Sequence, residues 1–89
     1  MRYIKKPVEV EAFQWKTDKP PKWFNFAKRT GEIICPKIAI LIGHEIIIRR
    51  NEKEVNMAHA EDYIVKDLNG EIYPIKEDIF KKMYEKMEE

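Results

Sequence analysis

Hydrophobic and polar residues alternate first near the start of the chain. Val8, Val10 and Ala12 interleave with Glu9, Glu11 and Phe13, so residues 3–15 read as a half-buried strand. The parity then shifts, because Phe13 and Trp15 fall on the face opposite Val8 and Val10. Either a bulge near Ala12 re-aims the side chains, or both faces of the strand are covered at this end. Pro7 suits a strand start or an edge. Lys19 to Gly31 then predicts a short helix. Its first turn tolerates proline, Gly31 suits a left-handed stop, and Lys28 and Arg29 complement the dipole. Trp23, Phe24 and Ala27 make its apolar stripe, clamped onto a sheet.

From Glu32 onward the pattern returns to strands. Ile33-Ile34-Cys35 stops at Pro36, and apolar runs Ile38–Ile42 and Glu45–Ile48 flank Gly43-His44. These runs are continuous and β-branched, which predicts central strands buried on both sides or strands in an oligomer interface. A polar turn over 49–54 leads to a short strand, Val55 to His59, and a corner at Ala60-Glu61. Strands Asp62–Lys66 and Glu71–Ile75 flank Asn69-Gly70, which predicts a two-residue hairpin turn with positive φ. Asp78 to Glu89 predicts an amphipathic helix with Ile79, Phe80, Met83, Tyr84 and Met87 on its buried stripe. Lys81, Lys82, Glu85, Lys86 and Glu88 form its wet face, and Asp78 or Glu77 is the expected cap. The expected fold is a single α+β domain over 1–89. It has a bent antiparallel sheet or small partly open β-barrel of five or six strands, one inserted short helix and a C-terminal helix.

Composition narrows the function classes. Seventeen basic and sixteen acidic residues leave a net charge of +1, where a phosphate-binding domain for nucleic acid usually carries a clear basic excess. With no serine in the chain, serine nucleophiles and their triads are excluded. The longest apolar run is far too short to span a bilayer, and neither a signal peptide nor a paired cysteine is evident, so a cytoplasmic location is expected. Eighty-nine residues bury only a modest core, which favours a homo-oligomer, most simply a dimer.

The candidate chemistry is sparse. His44, His59, Cys35, Glu61 and Asp62 could only make a metal site if folding gathered them, and no ligand spacing supports one. Cys35 sits in an Ile-Ile-Cys-Pro setting that suits an inert buried thiol better than a nucleophile. Glu9 and Glu11 share a strand side but have nothing near in sequence to set apart their pKa values. Neither a catalytic residue, a metal nor a cofactor is expected. The densest basic point, Arg49-Arg50 with Lys53 nearby, could join Lys66 and Lys76 in holding phosphate. Trp15, Tyr63 and Tyr73 are the aromatics most suited to stack a base. The expected ligand site is therefore Arg49, Arg50, Lys66, Lys76, Trp15 and Tyr73, with Glu9, Glu11 and Asp62 available to ribose hydroxyls or a base edge.

Two stretches carry a family resemblance. One is the opening Tyr3-Ile-Lys-Lys-Pro-Val-Glu-Val-Glu-Ala-Phe-Gln-Trp15. The other is Asp62-Tyr-Ile leading to Asn69-Gly-Glu-Ile-Tyr-Pro-Ile-Lys76 and Asp78-Ile-Phe80. Together they resemble a family of small proteins encoded by phages and prophages of low-GC Gram-positive bacteria. Two departures stand out: Ala60-Glu61 where the family pattern has proline-glycine, and Ile75 where it often has cysteine. The resemblance transfers no catalytic residue. Beside this phage-like resemblance stand the small size, the lack of catalytic groups, the oligomer-forming strand run and the basic and aromatic side chains near the hairpins. Together they lead to the expectation of a non-enzymatic phage-derived binding protein in the host cytoplasm. Its expected role is anti-defence, sequestering a nucleotide signal in a pocket at a subunit interface or blocking a host protein. The alternative is a small nucleic-acid-binding accessory domain, with a small hydrolase or metal enzyme behind it.

Overall fold

The computed structural model describes residues 1–2, 9–35, 46–49 and 54–85. The fold is α+β. Strand β1 (Glu11–Gln14) is followed by helix α1 (Lys22–Thr30) and strands β2 (Ile33–Ile34), β3 (Ile46–Arg49), β4 (Val55–Ala58), β5 (Tyr63–Lys66) and β6 (Ile72–Ile75). Helix α2 (Glu77–Met83) comes last. Among the described residues the strands form two three-stranded antiparallel sheets, ordered β1-β5-β6 and β2-β3-β4, which do not close into a barrel. The expected strand over 38–42, the turn at Gly43-His44, residues 3–8 of the expected opening strand and residues 86–89 of the expected last helix lie outside the described residues.

The core lies between the sheets and under α1. Phe13, Ile64 and Ile72 come from the first sheet, Ile33, Ile46, Ile48 and Ala58 from the second, and Phe24 and Ala27 from α1. Each fully buried large side chain contributes about 1.5–3 kcal/mol relative to exposure. Phe13 and Phe24 meet edge to face at 4.9 Å, an arrangement that fixes the seat of α1. The helix begins where Pro21, extended at φ −75°, takes the N-cap position. It ends where Gly31 turns left-handed at φ +85° and donates its N–H to the Lys28 carbonyl at 3.3 Å.

The first sheet is covered on both sides. Register pairs Ala12 with Val65 and Phe13 with Ile64, without a bulge between Glu11 and Gln14. Ile64 points into the core, while its neighbour Val65 points the other way and is equally buried. The second side is covered by α2, whose Phe80 stacks on Tyr63 with centroids 4.0 Å apart and planes 10° apart; Tyr84 continues the stack at 5.0 Å. Both faces of β1 are thus covered at Phe13 and Gln14, while Ala12 just before them is exposed.

Five expectations need correction. The last helix, expected over Asp78 to Glu89, stops at Met83, where Tyr84 turns extended at φ −130° and donates its N–H to the Phe80 carbonyl. In β3, Ile46 and Ile48 are buried but Ile47 is only half-buried, so within one chain this segment has one buried face, against the first of the two expectations; the other, a strand in an oligomer interface, is unaffected. The β5–β6 hairpin has a three-residue loop, Leu68-Asn69-Gly70. Asp67 and Glu71 remain paired at 3.0 Å, and only Gly70 takes positive φ, at +82°. Asp67 favours this longer loop because its Oδ1 accepts the N–H groups of both Asn69 and Glu71. Lys76 occupies the N-cap position of α2 with no side-chain cap bond; Asp78 and Glu77 both lie inside the first turn. Met83 and Ile79 face solvent, because a helix this short has one narrow stripe and Phe80 and Tyr84 fill it.

Candidate functional site

The residues expected to gather around a ligand are distributed over the molecule. Trp15 extends β1, donating its N–H to the Asp62 carbonyl at 2.8 Å, and its ring leans on Phe24 at 5.4 Å on the core side. Tyr73 pairs with Val65 and lies on the opposite side of the same sheet. Burial chiefly, then Tyr84, pushes the Tyr73 phenol above its ordinary pKa. Lys66 stands opposite Glu11 and Ile72 on the side that carries Phe13. Lys76 is exposed at the start of α2, and Arg49 is exposed on the second sheet. Arg50 lies outside the described residues, as does Lys53. Strand alternation places Trp15 and Tyr73 on opposite sides of one sheet, so these two rings cannot stack on one base. Glu9 and Glu11 are exposed. Asp62 instead serves its own corner, where its Oδ2 accepts the His59 N–H at 2.9 Å.

A polar knot that sequence reading missed sits where β1, β5 and α2 meet. Gln14 is buried, and its carboxamide Nε2 donates to the Glu61 carbonyl at 3.0 Å and to the Glu77 carboxylate. Its backbone N–H donates to Asp18 Oδ2 at 2.9 Å. Two residues flanking this knot, Lys16 (φ +72°) and Glu61 (φ +76°), adopt left-handed backbone, the only described non-glycine residues to do so. Glu77 in turn accepts from Lys81 Nζ at 3.0 Å. These carboxylates are engaged by amide and ammonium donors, so the knot acts as a clamp that fixes the start of α2. Among the described residues no group of three His, Cys, Asp or Glu side chains could hold a metal ion. Cys35 packs partly buried against the core, and burial pushes its thiol up despite the nearby charges of Lys28 and Lys16.

The outer face of the second sheet has a different character. Ile34, Ile47 and Met57 are aligned across β2, β3 and β4 by register, and Arg49 pairs with Val55 one row further. Glu32 extends this second row, since Arg49 donates its N–H to the Glu32 carbonyl at 2.7 Å. Strand alternation puts Ile34, Ile47, Met57, Val55 and Arg49 on the side away from the core, and Glu32, in the bend just before β2, continues the register of Ile34. Ile34, Met57 and Val55 are 39%, 50% and 53% exposed. Among the described residues, neither Arg49 nor Glu32 forms an ion pair, although their backbones are hydrogen-bonded to each other. The face is thus an apolar row beside a row bearing one cation and one anion.

No protein-family model, curated protein or solved structure matches this chain. Among the described residues no helix is long and apolar enough to cross a membrane.

Proposed function

We propose that this chain is a non-enzymatic binding protein that works by laying the outer face of its β2-β3-β4 sheet on a protein surface. The observation that carries this reading is the contiguous row Ile34-Ile47-Met57 with Val55 and Arg49 beside it. Exposed methionine, aliphatic and arginine side chains in one flat patch match the composition of interface centres. Of the two ligands expected from the sequence, a host protein suits this geometry better than a nucleotide. A nucleotide pocket would need cations and rings on one surface, whereas Trp15 and Tyr73 lie on opposite sides of the first sheet.

The reading is tested by placing a photo-crosslinking residue at position 57 and irradiating the chain in its host cytoplasm. Adducts with a protein are expected, and they should disappear when Ile47→Lys is added. Circular dichroism should confirm that this double variant stays folded. Absence of adducts, or adducts indifferent to Ile47→Lys, would overturn it.

A further inference from the structure

The pattern of the outer face also selects an occupant. We infer that in the free protein this face closes on a second copy of the same chain, in a two-fold dimer. The inference rests on reading the face as a protein-docking surface, and adds which protein it meets.

The argument is one of self-complementarity. Ile34 stands opposite Ile47 on neighbouring strands about 4.8 Å apart, and Glu32, one residue before β2, stands opposite Arg49 through the Arg49 N–H to Glu32 carbonyl bond. A two-fold axis running parallel to the strands, between β2 and β3 and above the face, exchanges these two columns. It sets the partner's Glu32 over Arg49 and the partner's Arg49 over Glu32. The same operation sets the partner's Ile34 over Ile47 and the partner's Ile47 over Ile34. One operator therefore pairs each charge with its opposite and each isoleucine with another, as an isologous contact requires. Two sheets stacked in this way share nearly the same strand direction, the commonest packing of sheet on sheet. The charges are also available, since Arg49 and Glu32 form no ion pair with any described residue of their own chain. Apolar rows alone would accept many occupants, but adjacent opposite charges beside them fit this sheet's own two-fold image.

Charge reversal tests the register as well as the stoichiometry. Sedimentation equilibrium of the full chain at about 100 μM, well above a micromolar dissociation constant, should show a dimer. Arg49→Glu leaves four carboxylates and no cation around the axis, and Glu32→Arg leaves four cations and no anion, so each variant alone should weaken dimerisation at least about tenfold. An equimolar mixture of the two should regain the dimer, because every crossed pair is again of opposite charge. A wild-type monomer at this concentration, a dimer insensitive to both reversals, or a mixture no better than its components would each overturn the inference. The photo-crosslink at position 57 separates the two claims. A monomer that crosslinks another protein through this face removes the second copy and keeps the docking surface. A monomer without adducts removes both.

Discussion

Gln14, in the first strand, hydrogen-bonds the carboxylate of Glu77, 63 residues later in the first turn of the last helix. That contact closes the domain, because α2 contains no fully buried residue and its N-cap supplies no side-chain bond. The helix is held instead by this carboxamide at one end and by the Tyr63–Phe80–Tyr84 stack along its length.

Removing the carboxamide should therefore loosen the helix. Gln14→Leu keeps the volume but takes the buried carboxamide donor away from the Glu61 carbonyl and from Glu77, which should cost about 1–3 kcal/mol in urea unfolding. Gln14→Glu should be worse, since it adds a carboxylate between two others. Equal midpoints for wild type and both variants would deny the knot its role.

The aromatic stack separates the two faces of α2. Phe80 is half-buried rather than enclosed, so Phe80→Ala should cost about 1–3 kcal/mol from lost stacking and burial. Met83 is 62% exposed, and Met83→Ala should fall within about 0.5 kcal/mol of wild type. Thermal melts of the pair check the orientation of the helix; the opposite order would place Met83 inside.

Gly70 adopts φ +82° in open space, so a side chain there meets strain but no clash. Gly70→Val should cost about 1–3 kcal/mol, and Gly70→Asn much less, because asparagine tolerates the left-handed region. Comparable losses for both variants would point to a cause other than backbone conformation.

Cys35 and Tyr73 both have pKa values raised by burial, so the folded state favours their protonated forms. The stability these groups contribute is fully present below their ordinary pKa values and is lost as pH rises through the raised ones. Urea midpoints should accordingly decline across roughly pH 8 to 11, and Cys35→Ala and Tyr73→Phe should each flatten part of that decline. Alkylation of Cys35 near neutral pH should also run slower than that of glutathione. A thiol faster than glutathione would show an accessible thiolate at this position.

Local chemistry made much of the fold legible from sequence. Gly31 stops α1 because only a residue free to turn left-handed ends a helix there cheaply, and Phe24 and Ala27 lie one turn apart on its buried side. The parity shift at Phe13 left a bulge or two covered faces as alternatives, which the unbulged pairing of β1 with β5 decided, and Asn69-Gly70 located the hairpin. The loop length was decided by the Asp67 side chain, which accepts two backbone N–H groups across the turn. Tertiary structure alone decided the surfaces. Trp15 and Tyr73 read as equivalent aromatics, yet the pleat sends them to opposite sides of one sheet. The polar residue of Phe-Gln-Trp is a buried clamp only because Glu61 and Glu77 are brought to it from distant positions. Arg49 beside Glu32 is a relation of strand register across 17 residues of sequence, and register is set by which faces the whole domain buries.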